Sequence, residues 1–282
     1  MPETAANLAD WIGRETMDND VVVPAQVRGL RATLISDDSI PAAGEASPLL
    51  MHWCCFLPYA PQNQIGPDGH PKRGGFMPPV ALPRRMWAGS RIEFVRPLRV
   101  GTAITRRTLI GDIQEKSGRS GALVFVRLDH EISDDQGLVI TEQHDVVYRD
   151  AATPGAASPA PTAAPPAPHW TRRIDPDPVL LFRYSALTFN GHRIHYDQPY
   201  VTKVEGYPGL IVHGPLIATL LLHELVARHP AADVATFAFR AVKPIFDIAP
   251  FFVCGSLEGK SAQLFARDED GNLCMEASAT LR

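Results

Sequence analysis

Cysteine is scarce, with four in 282 residues (Cys54, Cys55, Cys254 and Cys274), and no two are spaced as Cys-x-x-Cys. That density excludes a disulfide scaffold. Cys54 and Cys55 are adjacent and would face opposite sides of an extended segment, as small buried apolar residues do. Long apolar runs are also missing. The longest, Leu216 to Leu222, is far too short to span a bilayer. A basic excess is absent, because 27 Lys and Arg face 31 Asp and Glu for a net charge of −4, so nothing suggests a nucleic-acid partner. A local cluster of arginines remains free to serve an anionic ligand. Residues 1–18 are polar and acidic and lack the charged start, apolar run and small-residue cleavage site of a signal peptide. These absences lead to the expectation of a cytoplasmic protein with reduced thiols that binds neither nucleic acid nor membrane.

The chain has 45% hydrophobic residues, enough for one large core or two medium ones. Residues 151–168 read AATPGAASPAPTAAPPAP. Proline removes backbone donors, and Ala and Ser offer little to bury, so the segment is expected to link two halves, 1–150 and 169–282.

The halves echo each other. Ile92-Glu-Phe-Val-Arg-Pro-Leu98 is answered by Phe239-Arg-Ala-Val-Lys-Pro-Ile245. Leu123-Val-Phe-Val-Arg127 is answered by Gln263-Leu-Phe-Ala-Arg267, and Gly137-Leu-Val-Ile-Thr-Glu142 by Gly271-Asn-Leu-Cys-Met-Glu276. Three matches in the same order favour duplication. Strands are expected over 91–98, 102–115, 121–133 and 138–149, and again over 236–246, 251–259, 262–268 and 273–281. Asp134-Asp-Gln-Gly137 and Asp268-Glu-Asp-Gly271 supply hairpin turns. Gly214-Pro215 opens a helix, with proline suited to the first helical position. It is apolar nearly all round to Val226, so it must be buried. His223, Glu224, Arg228 and His229 are expected to bring it to the surface before Pro230. A buried helix followed by an antiparallel sheet suggests the hot-dog arrangement, and two copies make an α+β double hot dog. In the first half the corresponding region, Met51 to Gly89, is rich in Pro and Gly. It is expected to form an extended loop, including Arg84-Arg-Met-Trp87, with a degenerate or short helix. Two shorter helices are expected earlier, within 6–16 and around 24–34.

The densest polar cluster is Thr188-Phe-Asn-Gly-His-Arg-Ile-His-Tyr-Asp197. Gly191 breaks regular structure between Asn190 and His195, so both side chains can aim into one cavity. Histidine shuttles protons near neutral pH. Backbone amides at a helix start, here Gly214, can receive a developing oxyanion. Such a set suits addition of water to a conjugated thioester. The bland alternatives are an Asx-type turn at Asn190-Gly191, a structural His195 and a plain helix start at Gly214.

The run resembles the hydratase motif of the MaoC-like dehydratases, the R-specific enoyl-CoA hydratases, which reads aspartate, any residue, asparagine, proline, aliphatic, histidine. Aligned on its last residue it gives Asn190-Gly191-His192-Arg193-Ile194-His195, and Ile211-Val212-His213-Gly214 resembles the family's thioester-binding segment. The resemblance implies His195 as acid/base, Gly214 as oxyanion donor, and Asn190, in place of the family's aspartate, as a residue that orients water. Asp197 is the nearest carboxylate and a candidate second acid. His192, Arg193, Val212 and His213 become candidate substrate contacts, with His213 equally readable as a packed histidine. Arg193 could take the free carboxylate of a dicarboxylic acyl group, or form a structural salt bridge. With His52-Trp53, Asp68-Gly-His-Pro71, Pro83-Arg-Arg-Met-Trp-Ala-Gly89 and Gly118-Arg-Ser-Gly121, the chain resembles the branch of mesaconyl-C4-CoA (3-methylfumaryl-CoA) and itaconyl-CoA hydratases. Arg84, Arg85 and Trp87 are then candidates for the CoA phosphates and adenine. That resemblance implies an acyl-CoA substrate, no cofactor and no metal, although His192, His195 and Asp197 have residue types that bind one. It also implies a catalytic C-terminal half, an N-terminal half that shapes the acyl tunnel, and an option of homo-oligomers. A 3-hydroxyacyl-thioester dehydratase, a thioesterase and a non-catalytic acyl-CoA-binding protein stay open.

Overall fold

The computed structural model describes residues 7–34, 37–118, 121–150 and 160–282. Two expectations reach beyond it: most of the linker, 151–159, and residues 119–120 of the Gly118–Gly121 motif.

The first half contains strand β1 (Glu15–Val21), helix α1 (Pro24–Leu34) and strands β2 (Arg84–Phe94), β3 (Ala103–Gly118), β4 (Gly121–Asp134) and β5 (Gly137–Arg149). The second contains β6 (Trp170–Ile174), α2 (Pro178–Leu187), α3 (Gln198–Lys203), α4 (Gly214–Arg228) and β7 (Val234–Ala241), β8 (Phe251–Glu258), β9 (Ser261–Asp268), β10 (Leu273–Leu281). The ten strands of the described residues lie in one sheet, ordered β1-β3-β4-β5-β2-β7-β10-β9-β8-β6. The order mirrors itself about the β2–β7 seam, where Ser90 pairs with Phe239 and Ile92 with Phe237. The chain is thus an α+β double hot dog whose two sheets join edge to edge.

Helix α4 is the buried helix of the second half. Leu216, Ile217, Leu220, Leu221, Leu222 and Leu225 are all buried, and it packs against β7 to β10. Each such side chain stabilises the fold by about 1.5–3 kcal/mol. Glu224, expected at the surface, is also buried, and its carboxylate is held by Arg228 at 2.7 Å and Arg172 at 3.2 Å. In the first half no comparable helix crosses the sheet among the described residues. Two short 3-10 turns, Met51–Cys54 and Gln62–Gln64, stand in that region, and α1 packs on α2 instead.

Several boundaries differ from expectation. Arg84 to Trp87 is not loop or helix but the start of β2, paired with Val146 to Arg149. Strand β7 stops at Ala241, because Pro244 has no N–H for a ladder and Val242 and Lys243 both turn onto the Cys274 carbonyl. The expected helix within 6–16 is a 3-10 turn, Leu8–Trp11, followed by β1. The end of the linker is held: Ala163 bridges Asn272, and the Leu273 amide donates to the Thr162 carbonyl.

Candidate active site

The loop from Thr188 to Asp197 joins α2 to α3 and is shaped by its own side chains. Phe189 sits at φ 48°, and the Asn190 amide donates to the Ser185 carbonyl at 2.8 Å. Asn190 Oδ1 accepts from the His192 amide at 3.0 Å, which is an Asx turn. The NH2 of Asn190 and one lone pair of Oδ1 are left, and an amide does not accept a proton as a base.

Arg193 to His195 form a 3-10 turn, which places the His195 ring inside the protein. Its Nδ1 lies 2.7 Å from the Ile211 carbonyl oxygen. A carbonyl only accepts, so Nδ1 carries the proton and Nε2 presents a lone pair. The Ile211 amide in turn donates to the Ile194 carbonyl at 3.0 Å, so the two segments clamp the imidazole. Burial pushes the His195 pKa down to about 4, opposed by the Ile211 hydrogen bond and reinforced by His70. The ring is neutral, and basic at Nε2, at physiological pH.

His213 stacks on His195 with ring centroids 3.7 Å apart, and its Nε2 is 2.8 Å from Ser185 Oγ. It is fully buried and, by burial first and then by His195, held well below the usual histidine pKa. It precedes α4, whose first residue is Gly214. A Cβ on Gly214 would meet only Met275 Cε, at 4.0 Å, so there is room for a ligand against that amide. Val212 is buried, and its amide donates to the Ile245 carbonyl at 2.9 Å.

The first half reaches into this site through a loop to which sequence reasoning gave no role. The Arg193 amide donates to the Asp68 carbonyl at 2.9 Å, and Gly69 lies against Gly191. Asp68 Oδ2 is 3.1 Å from His70 Nδ1, and the His70 ring lies 3.9 Å from that of His192. His192 in turn meets His195 edge-on at 5.5 Å. Burial would raise the Asp68 carboxyl, but hydrogen bonds from the His70 ring and amide outweigh it and hold the pKa well below the usual range. His192 is lowered by burial and then by His70. Asp68, His70 and His192 offer ligand atoms within 4.8 Å of one another. One carboxylate and two imidazoles would suit zinc, though Asp68 and His70 already satisfy each other. The available signal in the sequence was Asp-x-His in a Pro- and Gly-rich loop.

Other candidates are engaged elsewhere. Arg193 pairs with Asp197 at 2.8 Å, lies over the Tyr200 ring at 4.1 Å and donates to the Pro67 carbonyl. Of the two readings open for Arg193, the salt bridge is the one present. Asp197 also caps α3 by accepting from the Tyr200 amide, so both its oxygens are committed, against a role as second acid. Arg84 spans the halves to Glu205 at 3.3 Å and Tyr207, not open to a phosphate. Trp87 is packed between Trp53 at 5.0 Å and His144 at 4.0 Å, and its Nε1 donates to Ser90 Oγ, so it presents no free face for an adenine. Arg85, opposite Tyr148, adds positive charge felt by His70 and His192. A cavity of about 380 Å³ opens elsewhere, across the β2–β7 seam between His130, Glu142 and Phe237, and none of the candidate residues lines it.

The fold is the double hot dog of the MaoC-like structures, and the chain's family and its relatives make it a hydro-lyase. A MaoC-like dehydratase from Phytophthora capsici has the same fold, with a TM-score of 0.72 at 18% identity over 97% of this chain and 98% of that one. Residues 50–247 match hydroxyacyl-thioester dehydratase type 2, and the chain belongs to that family. It is 47% identical, over 99% of each chain, to mesaconyl-C(4)-CoA hydratase of Chloroflexus aurantiacus. It is 28% identical to the mitochondrial hydroxyacyl-thioester dehydratase type 2 of Schizosaccharomyces pombe, over 74% of this chain and 77% of that one.

Proposed function

We propose that the protein adds water reversibly across the double bond of a short C5 dicarboxylyl-CoA to give citramalyl-CoA: mesaconyl-C4-CoA, whose α,β double bond the steps below use, or itaconyl-CoA, whose double bond must first move into conjugation with the thioester. The observation that carries the chemistry is His195, whose Nδ1 is tied to the Ile211 carbonyl and whose Nε2 is free as a base. The substrate class rests on the 47% identity to the Chloroflexus hydratase.

Nε2 of His195 takes one proton from water as the oxygen bonds to the β-carbon. The π electrons move to the thioester oxygen, where the Gly214 amide at the head of α4 meets the developing charge. The imidazolium then returns the same proton to the α-carbon. The net change is OH on Cβ and H on Cα, and the steps run backwards as dehydration. Asn190, in place of the family's aspartate, orients the water. The C-terminal half carries this chemistry and the N-terminal half shapes the acyl site. The enzyme works in the cytoplasm, in keeping with four free buried cysteines.

The family match favours a second reading, dehydration of longer 3-hydroxyacyl thioesters. A spectrophotometric screen of mesaconyl-C4-, itaconyl- and crotonyl-CoA with a thiol reagent present separates these. Loss of enoyl-thioester absorbance without thiol release, fastest on a C5 dicarboxylyl-CoA, is expected. Preference for crotonyl-CoA supports the second reading, released thiol indicates a thioesterase, and no change indicates a binding protein.

A further inference from the structure

The residue at the family's aspartate position is Asn190, an amide that cannot take a proton and whose Oδ1 already accepts once, from the His192 amide. The carboxylate that the family motif would set against the attacking water is therefore missing from that loop. We propose that His70, oriented by Asp68, takes its place: the N-terminal half contributes a catalytic residue that holds the water for His195. The inference rests on the hydratase reading.

Three observations carry it. Asp68 fixes the imidazole twice, accepting from the His70 amide at 3.1 Å through Oδ1 and from Nδ1 at 3.1 Å through Oδ2. With the Nδ1 proton donated to a carboxylate, Nε2 is left as an acceptor. The loop is docked on the catalytic loop in one register. The Arg193 amide and Nη1 donate to the Asp68 and Pro67 carbonyls at 2.9 Å each, and Gly69 and Gly191 touch so closely that a side chain at 69 is excluded. The rings follow one another from His70 to His192 at 3.9 Å and from His192 to His195 at 5.5 Å, so His70 stands within the charge field of His195.

The atoms balance simply. His195 takes one hydrogen of the water and passes it to the α-carbon. His70 Nε2 accepts a hydrogen bond from the other, which stays on the product hydroxyl. In dehydration His70 holds the β-hydroxyl for departure. No co-reactant is needed.

The test is steady-state kinetics of His70→Ala and Asp68→Asn on mesaconyl-C4-CoA and crotonyl-CoA, with melting temperatures, added imidazole and a chelator arm. His70→Ala is expected to lose about 100-fold in kcat with KM changed less than about threefold, and to regain part of it with imidazole. Asp68→Asn is expected to lose about tenfold, with a displaced acid limb of the kcat profile. An unchanged kcat in His70→Ala overturns the inference. So does a loss that imidazole does not rescue and that tracks a raised KM and lowered Tm, the signature of a loop brace. Activity abolished by chelation and restored by zinc also overturns it, by making His70 a metal ligand. If the wild type hydrates neither thioester, the hydratase reading fails and takes this inference with it. A wild type that hydrates beside an unaffected variant refutes the inference alone.

Discussion

Gly69 meets Gly191 backbone to backbone: a Cβ on Gly69, at φ +88°, would stand 1.8 Å from the Gly191 carbonyl oxygen. Two loops from opposite halves of the chain close on each other there, with His70 and His192 just beyond. Gly69→Ala must push the loops apart. Gly74, at φ +98° with nothing within 4 Å, provides the control, since alanine there incurs only backbone strain of about 1–3 kcal/mol. Melting temperature and kcat of the two variants are expected to diverge, with Gly69→Ala losing activity about tenfold or more beyond any loss in Gly74→Ala. Equal kcat in both would show that the contact does not place the site.

Acid should act on this protein through buried histidines. A histidine free in the unfolded chain titrates near 6.5, whereas His195, His130 and His144 lie at about 4 because burial disfavours their charged form. Between those values the unfolded chain binds more protons, so stability rises with pH and is lost as pH falls from 6.5 towards 4. Urea midpoints at pH 7, 5.5 and 4.5 should fall in that order. The free-enzyme profile of kcat/KM should stay level down to pH 6 and turn down only towards pH 4 to 5, as His195 gains its proton. A limb centred near 6.5 would mean that His195 is not held as described.

Arg193→Ala should reduce kcat/KM on mesaconyl-C4-CoA and on crotonyl-CoA alike, within about threefold of each other, because it breaks the pair with Asp197 and the tie to Pro67. Loss confined to the dicarboxylyl thioester would restore the carboxylate-binding role that its residue type suggests.

Much of this was legible before the structure. Period-two apolar runs and Gly turns gave the hairpins, and the all-apolar Leu216–Leu225 stretch gave α4, because burial on every side leaves no other solution. Strands β1 and β6 were not legible: Glu15-Thr-Met-Asp-Asn-Asp-Val21 and Trp170-Thr-Arg-Arg-Ile174 are edge strands whose half-exposed faces carry polar side chains. Arg84 and Trp87 were misplaced for the same reason, since only pairing with β5 shows that they open a strand. Asn190, His195 and Gly214 stand on a local pattern. Asp68 and His70 do not, because the docking that brings them to His192 is fixed by hydrogen bonds from Arg193, more than a hundred residues away in sequence.

The first half carries a second polar cluster of structural kind. Buried Glu142 accepts from Ser90 Oγ at 2.6 Å and from Trp53 Nε1 at 3.1 Å, and lies 3.1 Å from His52 Nε2. Glu142→Ala strands those partners and should cost about 3–5 kcal/mol in urea unfolding. Glu142→Gln keeps an acceptor and should cost less. Equal, small losses would show that the network does not hold the sheet.

The central claim is that His195 moves the proton of hydration. The direct measurement is kcat/KM of His195→Ala against wild type on mesaconyl-C4-CoA, followed at the enoyl-thioester absorbance, with circular dichroism and Tm on both. The account predicts a loss of about 1,000-fold or more with the fold retained. A folded variant within tenfold of wild type would contradict it.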